Sequence, residues 1–117
     1  MKYLALIYGD ENRWSSLSED ERKAVYEQYG AFSQAAGAKV VDGAETADTK
    51  SATTVRVRNG QAQVTDGPAE QLAEPLGGFF LLECGTIDEA VGLAQQIPGA
   101  STGVVEVRPA HVDEEES

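Results

Sequence analysis

The sequence predicts an α+β domain, a ferredoxin-like split βαβ sandwich with a β-hairpin inserted between its two halves. Three observations lead there. Four strand-length apolar runs, at residues 2–8, 39–44, 77–84 and 103–109, are separated by two helical patterns. Both helical patterns open on a Ser/Thr-x-x-Glu signature, Ser18-Glu19-Asp20-Glu21 and Thr86-Ile87-Asp88-Glu89. Between the halves, Asn59-Gly60 joins two short alternating runs, the strongest local hairpin signal.

The first strand, residues 2–8, has Leu4, Leu6 and Tyr8 on one face and Tyr3, Ala5 and Ile7 on the other. Both faces are apolar, which predicts a central strand covered on both sides. Residues 9–17 are polar around Trp14 and predict a loop. A helix follows from the Ser18 capping box, with Val25, Tyr29, Phe32 and Ala36 as its apolar stripe and Gly37 as its stop. Lys39–Ala44 reads as a second strand and residues 45–52 as a loop. Residues 53–58 and 61–65 form the hairpin, and 66–76 a loop with room for one helical turn. Residues 77–84 are a strongly apolar strand. The second helix buries Ile87, Ala90, Val91, Ala94 and Ile97 and ends at Pro98-Gly99. The last strand stops at Pro109.

Two helices on one side of a four-stranded sheet leave its other face apolar and uncovered. Soluble chains normally resolve this by association. Either Tyr3, Ala5 and Ile7 or the opposite set, with one face of residues 79–84, would line that seam.

The 117 residues suit one domain over 1–110 followed by an acidic tail, 111–117, containing Asp113-Glu114-Glu115-Glu116. The formal charge of −11 repels nucleic acid and anionic membranes, and no Lys/Arg cluster offsets it. No run approaches the roughly 20 apolar residues of a membrane span. Met1–Tyr8 is too short for a signal peptide and lacks a small-residue cleavage site. One cysteine, Cys84, and one histidine, His111, cannot assemble an intrachain disulfide or a Cys/His metal site. The expectation is a cytoplasmic protein without metal or cofactor.

Several ordered segments together resemble the YCII-related superfamily, in its DGPF subgroup. They are Lys2–Asp10, Ala52–Arg58, Val64-Thr65-Asp66-Gly67-Pro68, Leu76–Glu83, Asp88-Glu89-Ala90, Ile97–Ala100 and Gly103–Pro109. The resemblance implies a homodimer in which ferredoxin-like protomers pair sheet to sheet as a dimeric α/β barrel. Some relatives in the wider superfamily are enzymes, including a dehydrochlorinase acting on chlorinated ring compounds. Others are proposed to use a His–Asp pair in a cleft. DGPF members often accompany extracytoplasmic-function sigma factors, which implies a regulatory protein partner. The family stretch Asp-Gly-Pro-Phe-Ala-Glu-Thr-Lys-Glu is altered here. Ala69 replaces the aromatic residue, Ala73 replaces the lysine, and Pro75 follows Glu74. The His–Asp pair is absent.

Asp66-Gly67-Pro68 is the leading candidate site. Asp66 either fixes a turn through backbone N–H groups or presents a carboxylate as a general base. Glu106 and Arg108 share a strand face with Val104, while Val105 and Val107 face the helices. Arg108 and Glu106 are either an interface ion pair or ligand contacts, with Arg108 holding a carboxylate. Arg56 and Arg58 share a face, as a solvated pair or an anion guide. Tyr8 and Asp10 end the first strand, where they either line a cleft or, for Tyr8, join the core or seam. Trp14 is either a lid or an anchor. Cys84 has no activating base near it in sequence and reads as a buried structural thiol. Two functions compete. One is a metal-independent lyase or isomerase acting on a small cyclic or aromatic metabolite, with Asp66 catalytic and Arg108, Arg56, Tyr8 and Glu106 binding substrate. The other is a non-catalytic dimeric module that binds a ligand or a transcription partner.

Overall fold

The computed structural model describes residues 1–111, so the acidic stretch Asp113–Glu116 lies outside them. Strand β1 (Lys2–Tyr8) is followed by a short helix α1 (Glu11–Ser16) and the long helix α2 (Glu19–Ala36). Strand β2 (Val40–Glu45) precedes the hairpin of β3 (Thr53–Arg58) and β4 (Gln61–Asp66). Strand β5 (Leu76–Glu83), helix α3 (Ile87–Ala94), helix α4 (Gly99–Thr102) and strand β6 (Val104–Pro109) complete the chain. The main sheet is antiparallel in the order β2-β5-β1-β6, consistent with a ferredoxin-like α+β fold. The hairpin forms its own two-stranded sheet. One chain contains no closed barrel.

Helix α2 begins where the sequence places it. Ser18 Oγ accepts from the Glu21 N–H at 3.1 Å and Glu21 Oε1 accepts from the Ser18 N–H at 2.9 Å, so two orphan donors are satisfied reciprocally. These bonds hold the Glu21 carboxyl below the usual range. Its end also fits, with Gly37 at φ +59°, a conformation that disfavours any residue with a Cβ. In the hairpin, Asn59 and Gly60 both take positive φ, 53° and 77°, as a type I′ turn requires.

Four expectations are corrected. The polar segment 9–17 is not all loop, because Asp10 caps the Asn12 N–H at 2.9 Å and nucleates α1. The Thr86 signature is half a capping box. Thr86 accepts from the Glu89 N–H, but the Glu89 carboxylate turns instead to Lys39 at 3.2 Å. Pro98-Gly99 does not end α3. That helix stops at Ala94, and Pro98 opens α4, a place where proline's missing N–H costs nothing. Residues 66–76 contain no helical turn.

Tyr3, Ala5, Leu82 and Cys84 from the sheet pack with Phe32 and Ala36 of α2, with Ala90 and Ala94 of α3, and with Ile97. Four alanines in this core let the helices approach the sheet closely. Phe80 lies across β2, where a Cβ on Gly43 would fall 2.8 Å from its ring. The same ring sits 5.1 Å from Phe32 and 6.3 Å from Tyr29, centroid to centroid. Ile87 and Val91, expected in the buried stripe, remain substantially exposed. Both long helices therefore cover the face bearing Tyr3, Ala5 and Ile7. The opposite face of β1 has no layer over it within one chain, as expected for two helices packed on one side of the sheet.

Candidate functional site

The uncovered face of the main sheet is organised in cross-strand rows. Leu76, Tyr8 and Val104 form the first row, because Tyr8 pairs with both neighbours. Ala44, Phe79, Leu6 and Glu106 form the second, and Asp42, Leu81, Leu4 and Arg108 the third. Residues paired across antiparallel strands share a face. Leu4, Leu6, Tyr8, Phe79 and Leu81 are half-buried there, while Glu106 and Arg108 at the β6 edge are exposed. The result is an apolar floor with a polar margin.

Three of the expected binding residues lie on this face, and two of them are hydrogen-bonded. The Tyr8 hydroxyl donates to Glu106 Oε1 at 3.3 Å. Arg108 follows Glu106 on the same face of β6, with its guanidinium outside any ion pair among the described residues. Val105 and Val107 point the other way and pack on the core, as expected from strand alternation. Asp42 was not singled out from the sequence, yet the β2–β5 register places it on this face opposite Leu81. Its position depends on an irregularity between Val40 and Asp42, for which strand alternation gives no warning.

Asp66 and Arg56 stand apart from these three, on the hairpin. Asp66 pairs with Thr53 at the hairpin base and is exposed. The turn that follows is fixed by its neighbours. The Gly67 N–H donates to the Ala52 carbonyl at 2.7 Å, the Thr54 hydroxyl donates to the Gly67 carbonyl at 2.7 Å, and Gly67 takes φ +99°. The Asp66 carboxylate accepts none of these bonds, so it is free for other contacts. Arg56 donates to the Ala69 carbonyl at 3.4 Å, which turns it toward the altered segment. Arg58 reaches the carbonyl of Val57.

The remaining candidates have structural places. Trp14 packs edge-on against Tyr26 at 5.4 Å, with the Arg22 guanidinium 5.9 Å from its ring. Arg22 also donates to the Trp14 and Ser15 carbonyls, so Trp14 is an anchor joining α1 to α2. Glu11, also not singled out from the sequence, accepts from the Thr49 N–H at 3.0 Å and ties the β2–β3 loop to α1. Cys84 is buried and free, and burial first, then the Glu89 carboxylate, pushes its thiol above the ordinary range. A thiolate nucleophile is disfavoured there. His111 is exposed at the end of the described chain. No helix among the described residues is long and apolar enough to cross a membrane.

Compared with known proteins, residues 1–111 match the YCII-related domain. The chain is 35% identical over 113 residues to an uncharacterised protein of Rhizobium meliloti (strain 1021), covering 93% of this chain and 91% of that relative.

Proposed function

The chain belongs to the YCII-related domain family, and from that premise we propose that two copies close their open sheet faces on each other around a site for a small, cyclic, anionic metabolite. The observation that carries this reading is the half-buried floor of Leu4, Leu6, Phe79 and Leu81, bordered by the Tyr8–Glu106 hydrogen bond and by Arg108. A flat apolar ring suits the floor. A carboxylate on that ring suits Arg108, whose planar fork can donate two parallel bonds. The Tyr8 hydroxyl, held by Glu106, can orient toward a ring oxygen. A reducing cytoplasm suits the free buried Cys84.

The chemistry in this reading is a metal-independent lyase or isomerase step of the DGPF-type branch. The Asp66 carboxylate would take a proton from a ring carbon. The electron pair of the broken C–H bond would form a new C=C bond. A leaving group would then depart with its own pair, or the proton would return at another carbon. Arg108 or Arg56 would hold the anionic group meanwhile. A second reading is a ligand-binding or regulatory module without turnover, partnered by a transcription (sigma) factor. The placement of Asp66 on the hairpin, unbonded to Tyr8, Glu106 or Arg108, favours it.

Binding of ring carboxylates followed by calorimetry, with turnover followed by chromatography, separates the two. Arg108→Gln should weaken binding at least about tenfold in either case. Asp66→Asn should leave binding intact and lower turnover by about a hundredfold or more if Asp66 is the base. Equal turnover by wild type and Asp66→Asn would remove the catalytic assignment. Binding without any turnover would establish the module reading.

A further inference from the structure

The face of the hairpin turned away from Arg56 is uncovered and apolar. Strand pairing puts Thr53 with Asp66, Val55 with Val64, and Val57 with Ala62 on that one face. Val55, Val57 and Val64 are 61%, 59% and 63% exposed. An isolated two-stranded ribbon is marginal in water, and a third layer is what normally stabilises one. Here only the opposite face, with half-buried Thr54 and Arg56, is backed by the chain that follows β4.

We infer that the valine face of the hairpin is an arm that clasps a second copy of this chain. This inference rests on the dimer reading above and adds a second contact to it. Continuity is the first argument. The hairpin leaves the main sheet where the Gly9 N–H bonds the Pro75 carbonyl and the Thr46 N–H bonds the Gly77 carbonyl. That is the end of the sheet carrying the open row Leu76–Tyr8–Val104, whose Leu76 and Val104 are also exposed. An occupant of the open face therefore arrives next to the arm.

Charge is the second argument. Residues 49–65 hold Lys50, Arg56 and Arg58 and no acidic side chain, in a chain of net charge −11. Arg56 and Arg58 lie on the face opposite the valines, and the one acid on the valine face, Asp66, sits at the hairpin base, so the stretch from Val55 to Val64 brings no negative charge of its own toward an acidic copy. The protomer is also thin, 18 Å along its shortest axis against 47 and 44 Å along the others. A thin partner stacked on the open face leaves its flank within reach of an arm at the rim. In this arrangement Asp66, at the base of the valine face, comes to the border of the site between the two copies.

The test compares dimer dissociation constants by sedimentation equilibrium for wild type, Val57→Glu and the milder Val64→Thr. Folding of each variant is verified by circular dichroism. Val57 and Val64 are exposed in the protomer, so both variants should fold. The expected result is a dimer weakened at least about tenfold by Val57→Glu and less by Val64→Thr. A wild-type dimer whose dissociation constant neither substitution changes would overturn the arm while leaving the sheet-to-sheet reading intact. A wild-type chain that is monomeric at all concentrations would overturn both.

Discussion

If two copies pair through their open sheet faces as proposed, Leu81→Lys is expected to leave a folded monomer. Leu81 is half-buried at the centre of the open face, between Leu4 of β1 and Asp42 of β2. In a single protomer the new ammonium can reach water and can pair with the Asp42 carboxylate beside it, so the fold should survive. Between two stacked sheets the same group would enter an apolar seam once from each copy. Even beside Asp42, an ammonium taken out of water into that seam carries a desolvation cost on the order of 4 kcal/mol, which corresponds to roughly a thousandfold in dissociation constant. Size-exclusion chromatography with light scattering should report the mass of one chain at concentrations where wild type reports two. The circular dichroism spectrum should be unchanged. A dimer of undiminished affinity would mean that the open face is not the seam.

Leu82→Ala should cost about 3–4 kcal/mol of folding stability. Leu82 neighbours Leu81 but points to the other side of the sheet, and its side chain is fully inaccessible. It pairs with Tyr3 of β1 and Val40 of β2, beneath the helices. Much of the surrounding core is alanine, at Ala5, Ala36, Ala90 and Ala94. Such walls have little side chain with which to fill a cavity, so the loss should stay above the roughly 2 kcal/mol lower bound for such substitutions. Domains of this size have about 5–15 kcal/mol in total, and the variant should therefore unfold at markedly lower urea. The comparison needs a fixed protein concentration, because association adds to the stability of a dimer. A loss below about 1 kcal/mol would show that this core is looser than its burial indicates.

These two adjacent residues illustrate what could be read from the sequence. Alternation along β1, β5 and β6 separates the helix-covered face from the open one, and the capping box at Ser18 and the Asn59-Gly60 turn declare themselves locally. Helix α1 is short and has no apolar stripe, so periodicity does not reveal it, although Asp10 before Glu11 is a cap signal. The end of α3 at Ala94 carries neither glycine nor proline, so the nearest punctuation, Pro98-Gly99, misdirected the boundary. The site was partly legible. Glu106 and Arg108 follow from strand alternation. The bond of Glu106 to Tyr8 depends on the β1–β6 register across 98 residues, which no local pattern encodes. The separation of Asp66 from them depends on the hairpin forming its own sheet, which is a matter of tertiary placement.

The central claim is that the face bearing Leu4, Leu6, Phe79 and Leu81 meets the same face of a second copy. An isotope-filtered nuclear Overhauser experiment on a mixture of labelled and unlabelled chains tests it most directly, because it records contacts between copies alone. The account predicts cross-peaks between copies from the Leu4, Leu6 and Leu81 methyl groups and the Phe79 ring. Contacts between copies confined to the helix side, at Ile87 or Val91, or none at all, would contradict it.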